Sequence, residues 1–563
     1  MTDDQIFERN MLAIASCHGP VYSDKIRSAS ASEHVHFELS KSGKAVPYMM
    51  QNGKKLFYHS RFDPEREAIK LAQTYSKEGF FVFLGLGAGY LIDAFLKSNK
   101  IVKGIIVEYG SSELKAILKF MDLSHILGDR RLKLLLDPED DDFYKALASN
   151  YVPVLGGDFF TVPLINRTDL RADVFSRAVK SIRNAIALIS DDYSVQSFFG
   201  KRWFSNIIRN LKLSALPTPP IATINEAYIS AAGPSLELAM QELADRPKNT
   251  FLIATDTSLR ALLENGIEPD AVISIDCQHI SYYHFSLGLP PSIPLFLDLA
   301  SPPTVARLAK MPYFFSSGHP LSRYLASKLR PFPIVDTSGG NVTHAAVSLA
   351  NYLGAKRIKI FGADYSYPYG KSYARGTYIY PYFYIRQGRL KPAEALFSDF
   401  LYRNQLIERE EEKDGLFRYI TKPLVAYKER FELLDEQLPA QLLREQGMGV
   451  ITRMPLTNKA ERKDAGKVFA SGRPFMSPED FLADYKADIA SLAEPQGQAQ
   501  AYLDALSAHD KDLWTTMLPA AAAFRRESGQ HPPGPSELLA ETRVWCMLVI
   551  GDELNNYSNH PLL

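Results

Sequence analysis

Acidic, serine and glycine residues follow four predicted strands in the middle of the chain, each at the point where the strand ends. They are Gly233-Pro234-Ser235 after AYISAA, Asp256-Thr257 after FLIAT, Asp276 after AVISI, and Asp364 after RIKIFGA. The segments between these strands have helical patterning, so the sequence predicts βαβ units and a parallel sheet. The carboxyl ends of parallel strands meet at one edge, where helix N-termini receive anionic groups. We therefore expect a nucleotide or nucleotide-sugar to bind at this edge.

A second glycine loop, Ser338-Gly339-Gly340-Asn341, lies between the predicted strand PFPIVD (Pro331–Asp336) and a predicted helix, Val342–Leu353. Two glycines before a capping asparagine are typical of a helix start that accepts an anion. Each such turn, taken alone, is equally typical of a well-capped helix without a ligand. Two glycine loops and two strand-terminal acids in one sheet favour a binding site over coincidence.

The tyrosine-rich loop YSYPYGKSYARGTY (Tyr365–Tyr378) follows the last of these strands and carries Lys371, Tyr373 and Arg375. Arginine binds carboxylate or phosphate with two parallel donors, lysine binds as a point charge, and tyrosine stacks on a base or sugar. These residue types predict contact with the ligand. The alternative is a lid that packs on its own domain.

Three residues are candidates for a general base: Asp276, His279 and His284. Imidazole titrates near neutral pH, which suits it to proton transfer. A single histidine is more often structural than catalytic, and His319 and His344 are also present nearby. No Cys/His spacing indicates zinc, so we predict no metal ligands in the protein. No Gly-x-Ser-x-Gly elbow indicates a serine nucleophile.

A glycine turn near the N-terminus, Gly85, Gly87 and Gly89, follows the predicted strand Gly79–Leu86, and Glu108 ends the next strand. Such a turn lets the backbone approach a cofactor, and the acid could bind a ribose hydroxyl. The spacing suits methyltransferases as well as dinucleotide enzymes. Alternatively, the glycines only allow the helix to pack tightly on its strand.

The whole composition narrows the class of protein. The chain has 563 residues, with 64 basic and 64 acidic side chains, so no net charge favours nucleic acid as a partner. Three cysteines lack any disulfide or metal spacing, which indicates a reducing compartment. No apolar run is long enough for a membrane span, and the acidic N-terminus does not resemble a secretory signal. We expect a cytoplasmic protein.

Three domains are predicted: residues 1–215, 221–390 and 391–563. SALPTPP (Ser214–Pro220) marks the first boundary, because proline cannot continue the preceding helical patterns, one starting at Arg171 and another covering Lys201–Leu213. The first two domains have α/β patterning. The last is predicted to be helical, with the charged run Glu408–Asp414 on a solvated helix face.

The central domain resembles the motility-associated factor family of flagellin glycosyltransferases. The resemblance covers residues 221–380 and depends on four segments: ISAAGPSLE, ATDTSLRALLENGIEPDAVISID, TSGGNVTHAAVSLANYLGAKRIKIFGADYSYP and GKSYARGTY. LGLGAGY and IIVEY suit the family's Rossmann-like N-terminal domain, and the helical C-terminal third matches in texture only. The same domain family includes an archaeal pterin diphosphokinase.

The resemblance implies a sialyltransferase-like, Rossmann-type central domain that binds a CMP-activated nonulosonic acid, such as pseudaminic or legionaminic acid. It also implies transfer of that sugar to Ser or Thr of flagellin. The implied contacts are Gly233, Pro234 and Ser235 to the nucleotide; Asp256, Thr257, Asp276 and the loop of Ser338, Gly339, Gly340 and Asn341 to the nucleotide-sugar; and Asp364, Lys371, Tyr373 and Arg375 to the sugar. The family often has serine where Asn341 stands, and its motifs do not identify the general base. No cofactor is required with such a donor, although Mg²⁺ is possible.

Two other functions fit the same residues. A diphosphokinase-like transferase would use ATP and magnesium, and a non-catalytic flagellin-binding protein would keep the fold without the chemistry. A methyltransferase, inferred from the N-terminal glycine turn alone, is a further alternative.

Overall fold

The computed structural model describes residues 2–51, 53–285, 288–403, 406–411, 415–444, 447–450, 464–529 and 531–559. The chain forms two compact units. The first comprises the chain up to Phe198, Glu494–Ser507 and Ala521–Glu541. The second comprises Phe199–Ala493, Ala508–Ala520 and the chain from Thr542 onward. The three-domain division at residues 1–215, 221–390 and 391–563 stays a prediction.

The first unit contains two sheets. An antiparallel sheet has the order β1-β2-β3, with strands β1 (Val35–Leu39), β2 (Ala45–Gln51) and β3 (Lys54–Phe57). A parallel sheet has the order β6-β5-β4-β7, with strands β4 (Gly79–Leu84), β5 (Ile101–Glu108), β6 (Leu132–Leu136) and β7 (Asp158–Pro163). Phe81 and Phe83 of β4 pack in one core and Phe80 and Val82 in another, because successive side chains of a strand point to opposite faces. Both faces of this sheet are therefore covered.

The described residues up to Ser214 form ten helices, the last of which continues into the second unit: α1 (Asp3–His18), α2 (Pro20–Ser28), α3 (Pro64–Thr74), α4 (Tyr90–Lys97), α5 (Ser111–Phe120), α6 (Ser124–Leu127), α7 (Asp140–Asn150), α8 (Pro153–Gly156), α9 (Ile165–Leu170) and α10 (Ala172–Ser214). The patterns read as two helices from Arg171 and Lys201 form one helix, α10, of 43 residues. It ends at Ser214, immediately before the predicted proline-rich break.

The second unit is built around a seven-stranded parallel sheet with the order β12-β11-β10-β9-β8-β13-β17. Its strands are β8 (Glu226–Ser230), β9 (Thr250–Thr255), β10 (Ala271–Ser274), β11 (Leu295–Asp298), β12 (Pro312–Phe315), β13 (Arg357–Phe361) and β17 (Gln441–Arg444). A small antiparallel sheet contains β14 (Tyr367–Pro368), β15 (Ile407–Glu411) and β16 (Phe417–Thr421). The short apolar strands, bounded by glycine and acidic residues, match the predicted βαβ units.

The helices of the second unit begin with α11 (Leu236–Ala244), α12 (Asp256–Glu264), α13 (Pro303–Ala306), α14 (Pro320–Lys328), α15 (Val342–Tyr352), α16 (Ile379–Arg386), α17 (Ala393–Tyr402), α18 (Lys422–Gln437) and α19 (Pro478–Ser491). His279–Phe285 forms a 3₁₀-helix. The chain closes with α20 (Ala499–Ala505), α21 (Ala508–Glu527) and α22 (Pro535–Asn559). No helix among the described residues has the length and hydropathy needed to span a bilayer.

The strand order of the large sheet reverses at β8, the first strand of this unit, which lies between β9 and β13. Open α/β sheets bind ligands outside the carboxyl ends of the strands at such a reversal. The turns after β8 and β13 carry Gly233-Pro234-Ser235 and Asp364 respectively. The topology therefore brings two of the predicted segments to the point where a ligand is expected.

The α/β prediction with parallel sheets is confirmed, and two local predictions are wrong. Pro331–Asp336 is not a strand: Ile334 alone forms a bridge, to Ser316. Its two prolines lack the N–H donors that a ladder needs. Glu408–Glu411 lie in strand β15 rather than on a helix face, because they pair with β16. Glu412, Lys413 and Asp414 lie outside the described residues. Residues 391–563 also supply strand β17 to the large sheet, so this region is not wholly helical.

Candidate functional site

Asp364 and Ser235 meet at the reversal point of the large sheet. The Ser235 backbone N–H donates to Asp364 Oδ2 at 2.8 Å, and the Ser235 hydroxyl donates to Asp364 Oδ1. Gly233 N–H donates to Gly362 O at 2.8 Å, and a Cβ on Gly233 would lie 2.5 Å from that oxygen. Glycine is therefore needed at position 233 because the two turns approach so closely. The Asp364 carboxylate occupies the anion-favouring start of α11.

A short segment after β17 also reaches these residues. Met448 N–H donates to Ser235 Oγ at 2.7 Å, and Val450 N–H donates to Asp364 O at 2.9 Å. The predicted phosphate donors of Ser235 are thus bonded to protein groups in this structure. A phosphate at the start of α11 would take the place of the Asp364 carboxylate.

Asp256 and His284 form a buried pair at the end of β9. Asp256 Oδ1 lies 3.3 Å from His284 Nδ1, and Asp256 Oδ2 accepts from the Ser274 hydroxyl at 2.7 Å. Thr257 donates to Asp256 Oδ1 from its backbone N–H at 2.6 Å and from its hydroxyl at 3.0 Å. His284 is only 10% exposed, and its contacts with Asp256 Oδ1 and, at 3.5 Å, with Thr257 Oγ1 both use Nδ1. The carboxylate thus orients the ring and leaves one ring nitrogen able to accept a proton.

The two acids at this edge have pKa values shifted in opposite directions. Burial raises the pKa of Asp256, but His284 and the hydrogen bonds from Ser274 and Thr257 together hold it below its usual value. Burial also raises the pKa of Asp276, and the neighbouring Asp256 carboxylate adds to this, against a hydrogen bond from Gln278 N–H. Neighbouring carboxyl groups whose pKa values are shifted in opposite directions are typical of sites that transfer protons.

The tyrosine-rich loop connects the two clusters. Ala374 N–H donates to Ala232 O at 2.9 Å, next to Gly233. Four residues later the Tyr378 ring lies 4.4 Å from the His284 ring. Tyr373 packs 6.3 Å from Tyr378 and 6.0 Å from Phe400, ring centre to ring centre, and burial raises the pKa of its hydroxyl. The loop therefore packs on its own domain, as the alternative interpretation expects, and it also borders the Asp256–His284 pair. Its contact with a ligand stays a prediction.

The two predicted cations of this loop have different surroundings. Lys371 Nζ lies 2.8 Å and 3.0 Å from the carboxylate oxygens of Glu237 on α11, which neutralise it. Arg375 donates its backbone N–H to Glu237 at 2.7 Å, while its side chain is exposed. No acceptor among the described residues binds the Arg375 guanidinium. Arg375 is therefore the cation better able to bind an anionic ligand.

The loop of Ser338, Gly339, Gly340 and Asn341 caps α15. Asn341 Oδ1 accepts from His344 N–H at 3.0 Å, and His344 Nε2 lies 3.1 Å from Asp336. The hydrogen bond from His344 is the main reason that the pKa of Asp336 is well below its usual range. A Cβ on Gly340 would lie 3.1 Å from Arg430 of α18. These contacts, with the bond from Ser338 N–H to Asp336 at 2.9 Å, join the loop to Asp336, α15 and α18.

His279 lies apart from the Asp256–His284 pair. It is exposed, its ring stacks on Tyr282 at 5.6 Å, and Thr304 Oγ1 lies 3.5 Å from its Nδ1. Of the two predicted histidines, only His284 is held by a carboxylate. This difference makes His284 the stronger candidate for a base.

Two further residues at this edge, Ser274 and Asp298, were not predicted from the sequence. Asp298 ends strand β11 within LFLDLAS, the same signal that identified Asp276. It is buried, accepts from Ala300 N–H at 2.7 Å, and burial raises its pKa to about 6.

Two asparagines of α10 hold the loops that carry these acids. Asn206 donates to Cys277 O at 3.0 Å and Ala300 O at 2.8 Å. Asn210 donates to Leu299 O at 2.9 Å and Ser301 O at 2.7 Å. Because both side chains are buried, the loops after β10 and β11 are fixed in position. No sequence signal links these asparagines to loops so far along the chain.

Replacing Asp298 with asparagine tests its raised pKa. Burial favours the protonated form of Asp298 in the folded state, so the free energy of unfolding of the wild type falls as pH rises from about 4 to above 6. Asparagine does not ionise, so the variant lacks this decrease. Across this pH range, the free energy of unfolding of the variant should rise relative to that of the wild type by about 3 kcal/mol. Urea unfolding at several pH values measures it. The exposed Asp245→Asn control should run parallel to the wild type, and a parallel D298N curve would contradict the shift.

The N-terminal glycine turn is filled by protein groups. Leu86 N–H donates to Glu108 Oε2 at 2.8 Å, and Ala88 N–H donates to His59 Nε2 at 2.9 Å. Arg167 Nη2 pairs with Glu108 Oε1 at 2.9 Å, so this acid is neutralised within the first unit. The turn therefore has the features of the packing alternative, and its binding of a cofactor stays a prediction.

In the described part of the chain, no group of three or more His, Cys, Asp and Glu side chains is placed to hold a metal ion. The acids of the large sheet instead make the pairs and hydrogen bonds given above.

Comparison with known proteins places this geometry in context. A family model of 6-hydroxymethylpterin diphosphokinase MptE-like proteins matches residues 201–370. An uncharacterized protein of Treponema pallidum (strain Nichols) is 32% identical over 173 residues, which are 30% of this chain and 82% of that protein. The chain belongs to the same family as this Treponema protein. Two further uncharacterized proteins of that organism are 33% and 31% identical, over 26% and 32% of this chain. The matched regions are 54% of the first of these two proteins and 33% of the second.

The fold itself is similar to that of a solved glycosyltransferase. The structure of MAf glycosyltransferase from Magnetospirillum magneticum AMB-1 superposes with a TM-score of 0.59 at 15% identity, covering 98% of this chain and 91% of that one. At this identity the likeness establishes the fold. The predicted resemblance to the motility-associated factor family is confirmed at that level.

Proposed function

We propose that this protein transfers a nonulosonic acid from a CMP-activated donor to Ser or Thr hydroxyls of flagellin. The observation that carries the proposal is the buried Asp256–His284 pair at the ligand-binding edge of the parallel sheet. The similarity of this fold to that of a MAf glycosyltransferase supports glycosyl transfer as the proposed reaction. The acceptor, the donor and a cytoplasmic location are parts of this proposal.

His284 is the proposed general base. Its Nε2 takes the proton of the acceptor hydroxyl as the hydroxyl oxygen attacks the anomeric carbon of the sugar. The bond from that carbon to the phosphate oxygen breaks, and CMP leaves with the bonding electrons. Attack on the face opposite the leaving CMP inverts the configuration of the anomeric carbon. Asp256 stabilises the imidazolium that forms, as a carboxylate does in other acid–histidine pairs. Asp276, whose pKa is raised, is the second candidate for the general base.

Binding of the donor uses the remaining polar groups of this edge. The start of α11 at Ser235 is the proposed site for the CMP phosphate, because helix N-termini favour anions. The loop Ser338–Asn341 at the start of α15 is proposed to line the nucleotide-sugar site. Phosphate at Ser235 requires Asp364 to move from its present hydrogen bonds. Arg375 is proposed to bind the sugar carboxylate. A donor with one phosphate does not demand a metal ion, although Mg²⁺ remains compatible with these acids.

The intact mass of flagellin tests the proposal. Flagellin co-expressed with this protein, in a host that makes a CMP-nonulosonate, should gain the mass of one or more nonulosonate residues. Flagellin co-expressed with the H284A variant should stay largely unmodified. Unmodified flagellin in the presence of the wild-type protein and donor would reject the proposal.

The MptE-like match over residues 201–370 favours one second candidate, a diphosphokinase. Such an enzyme transfers the terminal two phosphates of ATP to a hydroxymethyl group and releases AMP. Incubation with ATP, Mg²⁺ and 6-hydroxymethylpterin would then release AMP only when the pterin is present. That result, without sugar transfer, would favour this candidate over the first.

A further inference from the structure

The α16–α17 hairpin begins next to His284 and exposes apolar side chains at its turn. Every residue from Tyr384 to Pro392 is exposed. Within this stretch, Ile385 is 82% exposed and Leu390 is 99% exposed. Large apolar side chains in contact with water are unfavourable, and clustered ones mark interaction surfaces. We call residues 384–392 the hairpin tip.

The hairpin below this tip is well packed. The Phe383 and Tyr380 rings of α16 lie 4.9 Å and 5.0 Å from the Phe397 ring of α17. Gly388 N–H donates to Lys391 O at 2.9 Å, and Lys391 N–H donates to Gly388 O at 3.0 Å, which closes the turn. The exposed side chains of the tip are thus presented by a fixed backbone.

The charge of the tip indicates the chemistry of its partner. Residues 384–392 contain Arg386, Arg389 and Lys391 and no acid. Lys391 is paired with Asp399 at 2.7 Å, and Arg386 stacks 3.5 Å from the centre of the Tyr382 ring. Arg389 has no ion-pair partner in the part of the chain that the structure describes. A surface with exposed apolar side chains and a free cation is complementary to an acidic polypeptide segment with apolar side chains.

The hairpin is also continuous with the candidate active site. Tyr378, the residue before α16, contacts His284, and the Tyr382 ring lies 4.9 Å from the Tyr283 ring. The eight residues of α16 make a helix about 12 Å long, so the tip lies roughly one helix length from the base. A polypeptide bound on the tip could reach His284 with a hydroxyl a few residues away.

We propose that the hairpin tip is the docking surface for the protein acceptor, and that it binds an acidic segment of that protein through Ile385, Leu390 and Arg389. This inference rests on the proposed glycosyl transfer for its choice of partner. It assigns acceptor recognition to the tip and leaves donor binding and proton transfer to the sheet edge.

Direct binding of purified flagellin tests the docking surface without relying on catalysis. The double variant Ile385→Asp/Leu390→Asp should bind flagellin at least tenfold more weakly than the wild type in calorimetry, and R389E should also weaken binding. Both should release CMP from a CMP-nonulosonate in water at the wild-type rate. The matched control Leu548→Asp, which changes an exposed leucine of α22, should leave both measurements unchanged.

The possible failures are distinguishable. Unchanged flagellin affinity in the double variant would overturn the docking surface, even if transfer by the wild type is intact. A change from an oligomer to a monomer in light scattering, with flagellin affinity kept, would show that the tip joins copies of this chain and would also overturn it. If the wild type neither releases CMP nor transfers sugar but still binds flagellin through the hairpin tip, the proposed function is rejected and the docking surface is kept.

Discussion

Replacing His284 with alanine is expected to lower the rate of sugar transfer about 10²- to 10⁴-fold, the usual contribution of a positioned general base. The reason is that Asp256 holds His284 Nδ1 at 3.3 Å and thereby leaves Nε2 as the proton acceptor. Alanine removes this acceptor without removing the proposed donor contacts at Ser235 and Arg375. The loss should therefore appear in kcat, with the KM for the donor close to wild type.

Transfer of sugar to flagellin in single-turnover experiments measures this effect. Added imidazole should restore part of the H284A activity, since it replaces the missing base, and a merely structural histidine would show no such rescue. His279→Ala is the matched control: it changes an exposed histidine of the same 3₁₀-helix and should keep activity within about twofold, because surface changes away from the chemistry have small effects. Equal losses in both variants would contradict the assignment of the base.

Asp256→Asn examines the partner of the base. Asparagine keeps the shape but removes the charge that stabilises the imidazolium, so activity should fall by an amount comparable to that of H284A. The double variant should then lose little more than either single variant, because the two side chains act as one unit. Additive losses would instead indicate that the two residues act separately and would contradict the proposed pair.

The carboxyl edge of the large sheet was predictable because local patterns determine it. Short apolar strands followed by glycine or acid, with a helical pattern after each, predict both the parallel sheet and the side of it that carries Ser235, Asp256 and Asp364. The prediction of a strand at PFPIVD was wrong because it rested on apolar content alone. The two prolines of this segment lack the N–H donors that a strand needs for pairing. Glu408–Glu411 failed as a helix because their pairing with β16 outweighs helix propensity.

The pairing of side chains within the site was not predictable. Asp256 and His284 are 28 residues apart, and nothing local indicates that the 3₁₀-helix turns His284 and not His279 toward the sheet. Likewise the bond between Ser235 and Asp364 spans 129 residues. Such contacts depend on how separate elements pack, and a single sequence carries no record of that. The N-terminal glycine turn has the same limitation, because the groups that fill it come from His59 and Arg167.

Replacing Arg167 with methionine is expected to destabilise the protein by about 3–5 kcal/mol, the usual cost of breaking a buried ion pair from one side. Arg167 is 1% exposed and contacts Glu108 at 2.9 Å and Glu113 at 2.7 Å. Methionine matches the length of the side chain but leaves the Glu108 charge buried without its counter-ion. Glu108 also accepts the Leu86 N–H of the glycine turn, so the change loosens the part of the first unit where its strands end.

Urea unfolding of the full chain, followed by circular dichroism, measures the R167M effect. The double variant Arg167→Met/Glu108→Gln should recover a large part of the loss, because glutamine removes the unpaired charge and still accepts from Leu86 N–H. Arg27→Met is the matched control: Arg27 pairs with Glu8 at 2.6 Å on the surface, where both side chains are exposed, and should cost at most about 1 kcal/mol. A loss in R167M no greater than in R27M would show that Glu108 finds another partner when Arg167 is absent.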